Sequence, residues 1–202
     1  MLKKLLFLFC FIACVSCPGY KSDSIFLNNK HKKIHKSSIC DENKAFPQMI
    51  MIPFFGSASQ VVPDCHTYPK YKTALALMVF YRHWLEWFGD DDLLVKNMLE
   101  KVMVEWGKEK KSLKTAYNIK GEKIHNATII GITKTNSYIW VWEGYFHKIS
   151  ESSLMHELVH LALRAKNNHG DADHEGDKYD GWTDQHTEMI LEAKETLRVF
   201  NI

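Results

Sequence analysis

Ser153-Leu154-Met155-His156-Glu157-Leu158-Val159-His160-Leu161-Ala162-Leu163 is a run of good helix formers carrying the pattern His-Glu-x-x-His. On a helix, His156 and His160 stand one turn apart on the same face, so both imidazoles reach a single cation while Glu157 sits beside them. Apolar side chains occupy nearly every other side, which predicts a buried helix. Polar groups left unpaired there cost roughly 2 to 7 kcal/mol each, and a metal ion would satisfy them together. The plainer alternative is a buried helix whose histidines hydrogen-bond to backbone.

The spacing suits one kind of chemistry. A catalytic zinc takes about three protein ligands at roughly 2.0 to 2.2 Å and keeps one position for water. Two histidines one turn apart supply a rigid half of that cage. A carboxylate held next to the water can take its proton and later deliver it to a leaving group, and Glu157 is placed for this base role.

The flanking segments alternate in type. Tyr68 to Phe88 carries Leu75, Leu77, Met78, Tyr81, Leu85 and Phe88 at mixed three and four spacings, which predicts a helix ended by Gly89 and Asp90-Asp91-Asp92. The three aspartates read as a cap, with calcium binding as the lesser alternative. From Leu99 the period changes: Val102, Val104 and Trp106 alternate with Lys101, Met103 and Glu105, as in a half-buried strand. Ala127 to Thr133 and Tyr138 to Tyr145 are further strands, joined by a turn at Lys134-Thr135-Asn136-Ser137. Residues 39 to 68 hold Pro47, Pro53 and Pro63 around one short apolar patch, and read as an irregular lead-in with a single short strand. Helix, strands and then the His-Glu-x-x-His helix is the order of an α+β domain, and residues 39–202 are enough for one domain with a real core.

From about Val102 to Glu188 the chain resembles a minimal zincin domain, on the strength of the motif and the element order. The resemblance implies a small mixed sheet packed against the active-site helix, with N-terminal and C-terminal helices around it. It also implies an edge strand along the substrate cleft, for which Tyr138 to Trp142 is the counterpart. Leu163 and Lys166 stand where the elongated metzincin pattern has Gly and His.

The third metal ligand lies outside the motif. Asn168 to Gly176 is a glycine-bounded loop crowded with metal-capable groups. His174 is the first choice, with neighbouring Asp173 able to orient it. His169 and Asp173 are alternatives, and Glu188 matches the gluzincin habit of a ligand on a later helix. Tyr179 can stabilise an oxyanion near the metal or, with Trp182, simply anchor the loop; the anchor is the better reading. Thr183 to Phe200 is the closing helix, capped by Thr183 and Asp184, with Ile190, Ala193, Leu197 and Phe200 as its apolar stripe.

The N-terminus reads as a targeting segment. Met1-Leu2-Lys3-Lys4 is a basic start and Leu5 to Ala13 an apolar run too short to span a bilayer, so residues 1–17 are expected to be a signal peptide. Ala13-Cys14 and Ser16-Cys17 resemble a bacterial lipobox, which implies lipidation at Cys17, or at Cys14. Ordinary secretion with cleavage nearby is the alternative. Residues 18–38, with five lysines against one aspartate, read as a basic flexible tether, which can touch an acidic membrane surface. Removing Lys3 and Lys4 from 26 basic residues leaves 24 against 24 acidic ones, so nothing points to nucleic acid. Cys40 and Cys65 remain in the exported domain as one disulfide candidate.

Together these readings predict an exported, lipid-anchored zinc metallopeptidase of the cell envelope. It would act on a peptide or protein substrate, with Glu157 as general base and His156, His160 and His174 on the metal. A zinc-retaining but non-catalytic surface lipoprotein is the second reading. An amidase acting on cell-wall peptides is the third, and differs from the first in substrate rather than chemistry.

Overall fold

The computed structural model describes residues 45–52, 56–63, 70–89, 93–118, 120–174, 176 and 178–202, all within one compact unit, Ile39–Ile202. The expected leader, lipobox cysteines and tether, the candidate Cys40–Cys65 pairing and the Asp90-Asp91-Asp92 cluster lie outside the described residues. Seven strands, four α-helices and one 3-10 helix are described, an α+β composition.

The segment expected to be irregular is a hairpin. β1 (Ala45–Ile52) and β2 (Gly56–Pro63) pair antiparallel over their full lengths. Prolines read as strand breakers are compatible with it because Pro47 lies on an edge strand and Pro63 is the last residue of β2. β3 (Met103–Gly107) and β7 (Tyr138–Trp142) continue the sheet in parallel, and β6 (Gly131–Thr133) closes it antiparallel to β7 across the expected turn. The order is β1-β2-β3-β7-β6. β7 is therefore interior rather than the edge strand expected. Its central residues Ile139, Trp140 and Val141 are buried on both faces, as an interior strand requires. β4 (Lys111–Tyr117) and β5 (Lys123–Ile129) form a separate two-stranded sheet.

Register puts Ile50, Ala58, Val104, Trp106, Ile139 and Val141 on one face of the larger sheet, and all are buried. Helix α1 (Lys70–Phe88) buries Thr73, Ala76, Leu77, Phe80, His83 and Trp84, a stripe at three and four spacings. A buried polar chain ties it to the hairpin: Thr73 donates to Gln60 at 2.9 Å, and Gln60 donates to Gln48 at 2.9 Å. α1 stops at Gly89, whose φ of +118° is open to glycine. The short α2 (Leu93–Leu99) follows, and a 3-10 helix (Glu143–Glu151) connects β7 to α3 (Leu154–Asn167). α3 buries all but a few of its side chains and ends at Asn168 in the left-handed conformation, whose N–H returns to the Arg164 carbonyl at 3.0 Å. The closing helix α4 (Asp184–Val199) buries Ile190, Ala193 and Leu197, with Phe200 half-buried just beyond it.

Candidate metal centre

α3 carries His156 and His160 one turn apart, and the loop after it doubles back to bring in a third imidazole. His160 Nε2 lies 3.0 Å from His156 Nε2, and His174 Nε2 lies 3.1 Å from the same atom. Tetrahedral nitrogen ligands at about 2.05 Å from a common ion would stand about 3.3 Å apart, close to this spacing. Among the described residues these three histidines form the one cluster close enough to hold a metal ion.

The loop is built to hold that fold-back. Asn168, Asp171 and His174 all adopt positive φ, which reverses the chain within seven residues. Two aspartates, both buried, bind backbone rather than the histidine centre: Asp171 Oδ2 accepts from the Trp182 N–H at 2.5 Å and Asp173 Oδ2 from the Lys178 N–H at 3.0 Å. Asp173 is thus a loop clamp; burial holds His174 below the ordinary histidine range, only partly offset by the Asp173 charge. His169 stacks on Tyr179 with ring centroids 5.2 Å apart, and Glu188 is exposed on α4. Neither belongs to the cluster. Trp182 does more than anchor. Its ring lies 4.8, 4.9 and 4.8 Å from the rings of His156, His160 and His174, forming an apolar wall common to all three.

Does this donor set fit a cation? The Gly170 carbonyl accepts from His160 Nδ1 at 2.5 Å, which places the His160 proton on Nδ1 and leaves the Nε2 lone pair facing the centre. Burial holds His160 down at about 4, with His174 adding to the effect. Burial also holds His156 well below the ordinary histidine range, helped by repulsion from His160 and His174. Three neutral imidazoles therefore converge. One shared proton can bridge only one pair of Nε2 atoms, whereas a metal ion satisfies all three, so the residues fit the group.

Glu157 lies on the adjoining side of the helix. Its Oε2 accepts from Thr133 Oγ1 at 3.0 Å, and burial pushes its carboxyl up to about 7 against the lowering effect of bonds from the Thr133 hydroxyl and backbone. Thr133 and Gly131 belong to β6, which presses its backbone onto α3. A Cβ on Gly131 would lie 2.1 Å from Ser153 Oγ and 2.7 Å from Glu157 Oε1, so a side chain there would displace one or the other. Ser153 Oγ donates to the Ile130 carbonyl at 3.0 Å and holds the helix start to the same strand segment. A cleft of about 350 Å³ opens here, lined by Thr128 to Gly131, by Glu151 to Ser153, and by His156, Glu157 and Lys194. The strand bordering the cleft is thus the Thr128–Gly131 segment, not Tyr138–Trp142.

Sequence reasoning did not identify Thr133, Gly131, Trp182 or Lys194 as parts of the site. Only Trp182 carried a signal, a large aromatic just after the metal-capable loop. No protein-family model, curated protein or solved structure matches the chain.

Proposed function

We propose that the chain is a zinc-dependent metallopeptidase of the zincin type, exported and held at a membrane by a lipid on Cys17 or Cys14. The observation that carries the reading is the convergence of three imidazole nitrogens beside a buried carboxylate at the wall of an open cleft. An all-nitrogen set of three, with space for a fourth ligand, favours zinc over oxygen-seeking calcium or magnesium. When bound, zinc would acidify a water and polarise the substrate carbonyl.

The chain's own residues do the rest. Thr133 holds the Glu157 carboxylate through its hydroxyl and its backbone, fixing the group that would take a proton from the attacking water and pass it to the departing amine nitrogen. A carboxyl near 7 before any cation is present suits this exchange, and a cation beside it would draw the value down toward the ionised form a base needs. Trp182 excludes water from the inner side of the histidines. The export and anchor rest on the basic and apolar leader with its small-residue cysteines; among the described residues, no helix is long and apolar enough to cross a membrane.

The test is hydrolysis of a mixed peptide library by the full chain and by Glu157→Gln. The variant is expected to retain its metal and lose activity by about 10²- to 10⁴-fold. Metal retention without cleavage in the wild-type protein as well would favour the non-catalytic surface lipoprotein.

A further inference from the structure

Lys194 reaches the cleft from α4, a different element from those that supply the histidines and Glu157. It is half-buried, and among the described residues its ammonium group has neither a hydrogen-bond nor an ion-pair partner. The neighbouring charges do not compensate it. Glu151, the acidic residue at the cleft rim, is engaged by Lys148 at 3.3 Å. Glu195 is engaged by Arg198 at 2.8 Å, and Arg198 acts on Lys194 only as a like charge.

A lysine with this freedom normally extends its head group into water. Here it is partly withdrawn from solvent at the wall of the cleft that holds His156 and Glu157, close enough for its charge to act on His156. Glu157 lines the same cleft, but no ion pair joins it to Lys194 and its charge does not act on the ammonium group, so it is not the counter-ion. The rest of the lining, Thr128 to Gly131 with Ser152 and Ser153, carries no negative charge to balance the ammonium group.

We propose that Lys194 is a substrate-specificity residue that binds a carboxylate of the peptide, so that the cleft selects substrates with a negative charge near the reacting bond. The carboxylate is either an acidic side chain or a free peptide C-terminus. This rests on the peptidase reading for the substrate being a peptide; the charge preference does not depend on cleavage.

The test is equilibrium binding, by calorimetry, of three tetrapeptides of common backbone to the full zinc-loaded chain carrying Glu157→Gln, which suppresses turnover. One peptide has neutral side chains and a free C-terminus, the second one glutamate and an amidated C-terminus, the third neutral side chains and an amidated C-terminus. At least one of the first two should bind tenfold or more tightly than the third, and which one does identifies the source of the carboxylate. The preference should disappear on adding Lys194→Met or Lys194→Gln and persist with Lys194→Arg. Equal binding of all three, or no binding, overturns the proposal. So does a preference that survives Lys194→Met, because the carboxylate is then bound by the metal. Failure of the peptidase reading shows separately, as wild-type protein that cleaves none of a peptide library.

Discussion

At Glu157 a buried carboxylate takes a backbone bond from Thr133 and, on Oε2, a bond from the Thr133 side-chain donor, a hydroxyl that also lies 2.9 Å from the Glu157 carbonyl. Replacing Thr133 with valine keeps the shape and removes the donor, so Thr133→Val is expected to lower hydrolysis by about tenfold or more while leaving metal content intact; an unchanged rate would show that Thr133 does not position the base. His174 is different, because it belongs to the cluster itself. His174→Ala should weaken zinc binding by more than the roughly 10- to 100-fold that loss of a supporting contact costs, which a chelator competition titration would read. It should also expose the Arg164–Trp182 segment to proteolysis, since the fold-back would lose one of its links. His156, Glu157 and His160 were legible because helical periodicity places them from local sequence alone. His174 was legible only as the first of several loop candidates, since a loop path depends on positive-φ residues that spacing does not reveal. Thr133, Gly131 and Lys194 reach the site through tertiary packing and had no local signature.

Among the elements, β6 and α4 bear most directly on the site. β6 fits against α3 only because Gly131 has no side chain. Gly131→Ala is expected to cost about 1 to 3 kcal/mol of stability in denaturant melts and to lower activity further by moving Glu157; a fully stable and active variant would contradict the close approach. At the start of α4, His186 Nδ1 accepts from the Thr183 N–H at 3.0 Å, and its ring stacks on Phe88 with centroids 4.4 Å apart. Burial, reinforced by Lys166, lowers His186 to about 4. As pH falls below about 6.5 the unfolded chain takes up this proton before the folded chain does, so the contribution is present above 6.5 and lost progressively toward about 4. Thermal melts at pH 7.5 and 4.5 should therefore show a smaller acid loss for His186→Asn than for the wild type, and equal losses would contradict it. The α1, β3, β7 and α4 segments were legible from period and caps, whereas the single strand expected over Ala127 to Thr133 is divided between the end of β5 and β6, in two different sheets. The β1–β2 hairpin was not, because three prolines outweighed a short apolar pattern. Nor was β4–β5, whose exposed residues lack the alternation that burial on one face imposes.

On the scale of the whole molecule, α3 is the common neighbour. It packs on α1, α2, α4, β6 and β7, and the loop that follows it is fixed to α4 through Trp182 and Thr187. A cation held by His156, His160 and His174 therefore adds a link between the central helix and this loop, beside the Gly170 bond to His160 and the backbone clamps of two aspartates. If free zinc is about a thousandfold above its Kd, binding contributes about 4 kcal/mol, and chelation should lower the melting temperature by on the order of 10 °C. The α+β class and the helix at its centre could be read from the alternation of periods. Strand order could not, since the sheet joins segments far apart in the chain and places Tyr138–Trp142 inside rather than at the edge.

The most direct measurement is the zinc content of the full chain after exposure to equimolar zinc and removal of unbound metal, taken together with Glu157→Gln and His160→Ala. The account predicts one zinc per chain in the wild type and in Glu157→Gln, because a base is not a ligand, and less than about a tenth of that in His160→Ala. A folded wild-type chain that binds no zinc, or a His160→Ala chain that binds as much as the wild type, would contradict it.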